Sequence, residues 1–121
     1  CVVTTQPELS AWHLDPVFDG TLDRCLRDDV TPLAWSPLGG GRVGDAGDRV
    51  TRVIDGIAEA QATTPTAVAL AVLLVHPSRP VPIIGTQQVG RIAAATAALA
   101  VELTRSDWYR VVEASIGEPL P

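Results

Sequence analysis

At 121 residues, the chain is long enough for one domain or for one part of a larger domain. Its 46% of hydrophobic residues is sufficient for a packed core, and its 19% of charged residues is too low for a disordered chain. A net charge of −5, without any basic cluster, argues against nucleic acid or an anionic membrane as the main partner.

The cysteines, the histidines and the lengths of the apolar runs argue against a disulfide scaffold, a metal site and a membrane span. Cys1 and Cys25 are too few for a disulfide scaffold or a zinc site, which favours a reducing cytoplasm. His13 and His76 lack the spacing of metal ligands, so we predict no metal site. The longest apolar run, residues 67–75, is far shorter than the roughly 20 residues that a membrane span needs.

The start of the chain indicates that it is part of a longer protein. The sequence contains no Met and opens inside the apolar run CVVTT, so we expect other residues to precede it. A mature lipoprotein beginning at Cys1 is the weaker alternative, because the usual polar tether after the cysteine is missing.

β-Branched residues predict the first strand over residues 1–5, and a proline after it would break a strand ladder. Gln6 therefore follows the carboxyl end of this strand. Its amide can donate and accept hydrogen bonds together, which suits a carboxamide ligand, although position alone favours an ordinary solvated residue. Residues 13–20 are predicted as a loop, and Asp19 as the cap of a short helix over residues 20–28.

The second predicted strand covers residues 31–35 and opens into a loop rich in glycine. A brief apolar run bounded by turn residues is typical of a buried parallel strand. Four glycines follow, and we expect them to allow positive φ angles: Gly39, Gly40, Gly41 and Gly44. Folds of the α/β class bind ligands at loops of this kind. Trp35 closes the strand, where a large aromatic residue belongs to the core more often than to a site.

Two helices are predicted between the second and third strands. A polar turn at residues 45–48 precedes apolar residues that recur at helical spacing up to Gln61. Thr64 is the predicted N-cap of the next helix, and Pro65 its first helical residue. This helix is apolar on all sides, which predicts complete burial, and His76 is predicted to cap its end.

The third predicted strand covers residues 81–84, and a helix follows it from Val89. Arg91 lies in the first turn of this helix, where free backbone N–H groups and a guanidinium suit a phosphate. Thr104 and Asp107 form a capping box that predicts the final helix.

The predicted order β-α-β-α-α-β-α-α indicates an α/β fold whose parallel strands are joined by right-handed crossovers. Gln6, Trp35 and residues 85–91 then each follow a strand, so we expect them at the same rim of one sheet, which is the ligand face. Residues 39–44 also fit the G-x-G-x-x-G dinucleotide-binding pattern, but Pro37 and a polar turn separate these glycines from the strand and the helix. That match is therefore weak.

Several motifs occur in a specific order along the chain, namely QPELS at 6–10, LDPVFDGTLD at 14–23, TPLAWSPLGGGR at 31–42, HP at 76–77 and PIIGT at 82–86. With Cys25 and Arg91-Ile92, they resemble the aldo-keto reductases, in particular a bacterial subgroup, along nearly the whole chain. The resemblance implies a (β/α)8 TIM barrel that reduces carbonyl compounds with NADPH. It also implies that residues 1–121 supply the C-terminal portion of this barrel, with its last three strand and helix units.

The resemblance assigns roles to residues on three segments. Gln6 would bond the nicotinamide carboxamide, and Trp35 would replace the family's frequent tyrosine as the face on which the nicotinamide stacks. The pyrophosphate would be lined, largely through backbone, by Ser36, Leu38 and Gly39. The adenosine 2′-phosphate would be approached by Gly85, Thr86 and Gln87, with Arg91 as its guanidinium partner.

The resemblance also implies that the catalytic Asp, Tyr, Lys and His lie on earlier strands, so no catalytic residue is assigned here. The expected partners are a small-molecule carbonyl substrate and the missing N-terminal part of the barrel, and the chain alone is expected to be inactive. Two alternatives stay open. One is a non-enzymatic reductase-like subunit that senses the cofactor, and the other is a small Rossmann-type module that uses residues 39–44.

Overall fold

The computed structural model describes residues 2–121, so the part of the first strand predicted at Cys1 lies outside the described residues. Three strands form one parallel sheet in the order β1 (Thr4–Thr5), β2 (Thr31–Ala34) and β3 (Val81–Pro82). The register pairs Thr4 with Thr31 and Leu33 with Val81. The predicted α/β class and the parallel direction of the strands are confirmed.

Within residues 2–121, four α-helices and one 3-10 segment lie between the strands, and two further α-helices and a second 3-10 segment follow β3. The helices are α1 (Asp15–Phe18), α2 (Thr21–Asp28), α3 (Arg49–Ala60), α4 (Pro65–Leu74), α5 (Val89–Ala95) and α6 (Arg105–Ile116). The 3-10 segments are Gly39–Gly44, called the glycine loop below, and Thr96–Ala100. Within residues 2–121, no single helix is both long and apolar enough to cross a membrane, although α3 and α4 reach that criterion when counted together across a 103° bend.

One predicted loop is wrong, because residues 13–20 contain the short helix α1. Asp15 begins this helix, and Pro16, with its fixed φ, occupies the first turn. The N–H of Asp19 closes the turn by donating to the carbonyl of Asp15 at 2.9 Å. The carboxylate of Asp19 also accepts from the N–H of Thr21 at 2.8 Å, but the N-cap of α2 is Gly20, so the predicted cap lies one residue too early.

The predicted caps of α4 and α6 are confirmed. The hydroxyl of Thr64 accepts from the N–H of Ala67 at 3.1 Å, and proline follows at the first helical position. At α6, Thr104 and Asp107 exchange both bonds of a capping box. Helix starts are predictable here because each depends on residues only three positions apart.

His76 was predicted to cap the end of α4, but its imidazole bonds to Ser78 instead. The Nδ1 atom of His76 accepts from the N–H of Ser78 at 3.1 Å and lies 2.8 Å from its hydroxyl oxygen. The imidazole therefore organises the turn after α4 rather than the carbonyls at the end of that helix.

The helices cover one face of the sheet and leave the other exposed. On β2, Pro32 and Ala34 are buried, and Ala34 packs in a core cluster with residues of α2, α4 and α6. On the opposite face, Val81 is 48% exposed and Ile83 is 42% exposed. Helix α4 is buried from Ala67 to Leu73, as its apolar surface predicts. The fold is therefore a sheet with one helical layer and one uncovered apolar face.

Candidate functional site

The carboxyl ends of the three parallel strands meet at one edge of the sheet. Gln6 follows β1, Trp35 follows β2, and Gly85 follows β3 after two further residues. The pairing continues beyond the strands, because Glu8 forms a parallel bridge with Trp35 and the N–H of Ile83 donates to the carbonyl of Ala34 at 2.9 Å. The three predicted segments therefore lie at the same rim, while their roles toward a ligand stay predictions.

Beside this rim lies a cleft of about 730 Å³. Its walls are formed by Leu38 just before the glycine loop, by the start of α4, by the segment after β3, and by α5. The lining residues are Leu38, Thr64, Thr66, Leu70, Ile84, Gly85, Thr86, Gln87, Gln88, Arg91, Ala94 and Ala95. Five residues predicted for cofactor binding are among them, namely Leu38, Gly85, Thr86, Gln87 and Arg91. The structure thus brings the residues predicted to bind the 2′-phosphate close to Leu38, one of the residues predicted to line the pyrophosphate.

The other four predicted residues lie outside the lining of this cleft: Gln6, Trp35, Ser36 and Gly39. Gln6 is exposed at the rim. The backbone of Trp35 is held on both sides, since its N–H donates to the carbonyl of Pro7 at 3.1 Å and its carbonyl accepts from Leu9 at 3.3 Å. Its side chain is 47% exposed, so the general expectation that such an indole joins the core is wrong here.

Backbone conformation in the glycine loop and just before it is unusual. Ser36 has a φ of 51°, which is uncommon for a residue with a side chain, and Gly41 has a φ of 94°. Gly39, at a φ of 64°, packs so closely on Trp12 that a Cβ there would lie 2.8 Å from the indole. Gly44 does not have the positive φ that we expected, because it ends a 3-10 turn whose closing bond runs from Asp45 N–H to Arg42.

The loop geometry also bears on the dinucleotide-binding alternative. In that pattern the glycines open directly from a strand into a helix. Here the glycine loop forms 3-10 turns, and α3 begins only at Arg49, with Asp48 as its N-cap. A Rossmann-type arrangement at residues 39–44 is therefore not favoured.

The segment after β3 presents polar groups to the cleft. The hydroxyl of Thr86 accepts from the N–H of Gln88 at 3.1 Å, which fixes the turn into α5. Arg91 is exposed, and within residues 2–121 its guanidinium makes neither a hydrogen bond nor an ion pair. An arginine in this state can meet an external anion without first breaking an internal pair.

Sequence reasoning missed two kinds of residue. Thr64 and Thr66 line the cleft from the start of α4, and the sequence held a signal for them. Helices between parallel strands run back along the sheet, so their N-termini lie at the carboxyl edge of the strands. The second kind is a residue that supports the loop from outside the cleft. Trp12, which contacts Gly39, is such a residue, and no local pattern in the sequence indicated it.

One carboxylate near the glycine loop has a shifted pKa. Burial alone would raise the pKa of Asp48, but the N–H groups of Thr51 and the Trp12 indole outweigh burial and lower that pKa below its ordinary value of 3.8. Asp48 is thus a carboxylate at neutral pH. In the part of the chain that the structure describes, no group of three or more potential ligand residues could hold a metal ion.

Comparison with known proteins is consistent with this geometry. The model of the Aldo/keto reductase family matches residues 2–116. The chain is 45% identical over 124 residues to the 6-dehydroglucose reductase of Novosphingobium aromaticivorans, covering 99% of this chain and 41% of that protein. It is 37% identical over 118 residues to the 6-dehydroglucose reductase of Agrobacterium fabrum, covering 97% of this chain and 40% of that protein.

Solved structures share the fold. A thermostable aldo-keto reductase in complex with the inhibitor epalrestat superposes with a TM-score of 0.83 at 24% identity, covering 94% of this chain and 40% of that one. A mutant of Gox0644 in complex with NADPH superposes with a TM-score of 0.74 at 21% identity, covering 93% of this chain and 38% of that one.

These relatives are named as reductases, so neither the cofactor-sensing subunit nor the Rossmann module is favoured. The chain spans about two fifths of the length of the curated relatives it matches. Its motifs, its parallel α/β fold and the match over residues 2–116 agree with one another. The chain belongs to the aldo-keto reductase family.

Proposed function

We propose that this chain forms the cofactor-binding portion of an NADPH-dependent aldo-keto reductase that reduces aldehydes or ketones to alcohols. The observation that carries the proposal is the cleft of about 730 Å³ into which Leu38, Thr86 and Arg91 come from separate segments of the chain. Bound NADPH would supply the hydride, and the residues of this chain would hold and orient it.

The adenosine 2′-phosphate is proposed to bind at the end of the cleft near α5. Arg91 offers a guanidinium with no internal partner within residues 2–121, and such a fork matches phosphate oxygens. Thr86 and Gln87 add polar groups beside it, and the space in front of the Gly85 backbone is open, since a Cβ there would meet nothing within 4 Å.

The nicotinamide is proposed to bind at the rim between β1 and β2. The exposed indole of Trp35 provides a flat apolar surface for the ring, and the amide of Gln6 can bond the carboxamide. Ser36, Leu38 and Gly39 follow Trp35 along the chain, and Leu38 lines the cleft, which suits contact with the pyrophosphate through backbone groups.

The proton-transferring residues are proposed to come from outside this chain. The uncovered sheet face, with Val81 and Ile83 exposed, supports a remainder of a TIM barrel that packs against it as the missing N-terminal part. Residues 1–121 would then be the C-terminal portion and inactive alone. A cytoplasmic location stays part of this proposal.

The substrate that we propose to test first is 6-dehydroglucose. Two relatives, 45% and 37% identical to this chain, carry the name 6-dehydroglucose reductase. The shape of the substrate pocket depends on loops that follow several strands. These relatives therefore support a substrate class, a small carbonyl compound with polar groups, and not one particular substrate.

The experiment compares NADPH and NADH binding to the full-length protein and its Arg91→Ala variant by calorimetric titration. Loss of a charged hydrogen bond to the 2′-phosphate should raise the Kd for NADPH by about 10- to 100-fold. The Kd for NADH should change by less than about twofold, because NADH lacks that phosphate.

Arg52→Ala is the matched control, because Arg52 is also an exposed helical arginine but lies on α3, outside the cleft. Its Kd for NADPH should equal that of the wild type. A wild-type protein that binds neither cofactor, or an Arg91→Ala variant that binds NADPH normally, would contradict the proposed function.

A further inference from the structure

We infer that Trp12 is a positioning residue that clamps the glycine loop at two points, Gly39 and Arg42, and so holds the proposed pyrophosphate contacts in place. The inference rests on the proposed function for its consequence, although the clamp itself is a property of the chain without a cofactor. Trp12 lies outside the cleft and is 8% exposed, so it would act through the loop rather than by touching the cofactor.

At the near end of the loop, the clamp is a contact between surfaces. Gly39 packs against the indole, and a Cβ built there would be 2.8 Å from Cε3 and 3.0 Å from Cδ2 of Trp12. Its φ of 64° also belongs to the left-handed region that favours glycine. Both the backbone conformation and the indole therefore require a glycine at this position.

At Arg42, farther along the loop, the clamp is a chain of hydrogen bonds. The indole N–H of Trp12 donates to the Oδ1 atom of Asp48 at 2.9 Å, and its Nε1 lies 3.3 Å from the hydroxyl oxygen of Thr51. The hydroxyl of Thr51 donates in turn to the carbonyl of Arg42, inside the loop, at 2.8 Å. Asp48 also accepts from the N–H of Thr51 at 3.0 Å, which joins the network to the start of α3.

The indole is itself held by the turn that follows β1. Ser10 and His13 exchange two backbone hydrogen bonds, at 3.1 and 3.0 Å, and the hydroxyl of Ser10 accepts from the N–H of Trp12 at 3.2 Å. The preceding residue, Leu9, donates to the carbonyl of Trp35 at 3.3 Å. The clamp therefore links the rim at β1 to the rim at β2 and to the loop.

The loop needs such support because its own bonds are few. Successive positive φ angles at Gly39, Gly40 and Gly41 leave it without α-helical hydrogen bonding, and most of its residues are exposed. Segments with few buried contacts open at low free energy. A released loop would present the pyrophosphate contacts only part of the time, so the cofactor would leave faster.

The test uses Trp12→Phe in the full-length protein, with Trp108→Phe as the matched control. Phenylalanine keeps an aromatic ring near Gly39 but removes the N–H that Asp48 accepts. Trp108, on α6, is half-buried and packs against two core clusters. Within residues 2–121, no hydrogen bond joins its indole N–H to the glycine loop.

Amide hydrogen exchange of residues 40–45, measured without cofactor, reports the clamp directly. We expect Trp12→Phe to raise these exchange rates about tenfold, and Trp108→Phe to leave them at the wild-type values. Wild-type exchange rates in Trp12→Phe would overturn the inference, whether or not the protein binds NADPH.

The consequence for the proposed function is read from NADPH release by stopped-flow fluorescence. Trp12→Phe should raise the dissociation rate constant by about three- to tenfold, while the single-turnover rate at saturating NADPH stays unchanged. A fall in that single-turnover rate with normal release would overturn the positioning role.

Asp48→Ala removes the oxygen that accepts from both the Trp12 indole and the N–H of Thr51, so it carries the test if Trp12→Phe does not fold. It should change exchange and release in the same direction by at least about two- to threefold. Wild-type values for both measurements in Asp48→Ala would also overturn the inference. A wild-type protein that binds no NADPH would contradict the proposed function but not the clamp. The clamp is tested separately by hydrogen exchange, which is measured without cofactor.

Discussion

An indole that is 47% exposed at the end of a strand, as Trp35 is, leaves apolar surface in water that a ligand could cover. Its backbone is fixed by hydrogen bonds to both Pro7 and Leu9, so the side chain has a defined place from which to stack. At this scale, the residues that follow strands were predictable from sequence, because a strand end and a polar or aromatic neighbour are local features.

Replacing Trp35 tests the proposed stacking. In the full-length protein, Trp35→Ala should raise the Kd for NADPH by about two- to tenfold, since aromatic stacking contributes on the order of 0.5 to 1.5 kcal/mol beyond burial. Trp35→Tyr keeps a flat ring and should bind NADPH within about twofold of the wild type. Equal weakening in both variants, measured by titration, would argue against a stacked ring at this position.

The contacts of Trp12 mark the limit of sequence reasoning at the residue scale. Trp12, Asp48 and Arg42 are distant along the chain, and only folding brings them together. Asp48 was recognised merely as part of a polar turn, and Trp12 belonged to no motif with a chemical meaning. Such networks depend on tertiary packing, which no local spacing encodes.

At the scale of elements, starts of helices were predicted more accurately than strands. The caps at Thr64 and Thr104 depend on bonds within one turn, and both form as the sequence indicates. The strands are shorter than predicted, because β1 and β3 each pair with β2 alone and only Thr4–Thr5 and Val81–Pro82 form ladders. Pairing depends on a neighbour, whereas a cap depends on its own segment.

The turn between α4 and β3 makes stability depend on pH. Burial lowers the pKa of His76 below its ordinary value of 6.5, and the nearby charge of Asp23 offsets this only in part. The folded state therefore favours the neutral imidazole, whose Nδ1 accepts from Ser78. The unfolded chain takes up the proton first as pH falls, so this contribution is present above about pH 6.5 and is lost below it.

A variant isolates that contribution. His76→Gln in the full-length protein should reduce the loss of unfolding free energy between pH 7 and pH 5 relative to the wild type, because the titrating group is absent. Urea denaturation at the two pH values measures the difference. The same loss of stability in both proteins would show that other groups cause the pH dependence.

At the scale of the whole molecule, the chain matches 41% of the length of its 45% identical relative and leaves one face of its sheet uncovered. Parallel sheets are almost always covered on both faces, so Val81 and Ile83 need a partner surface. We propose that the remainder of a TIM barrel supplies it, together with the proton-transferring residues. The order of strands was predictable from the alternating elements, whereas the uncovered face became visible only in three dimensions.

The most direct measurement is a crystal structure of the full-length protein with bound NADPH. We predict the nicotinamide ring against the indole of Trp35, the pyrophosphate along the glycine loop, and the 2′-phosphate within hydrogen-bonding distance of Arg91. NADPH bound elsewhere on the molecule, or bound with its 2′-phosphate away from the cleft beside α5, would contradict the proposal that this rim holds the cofactor.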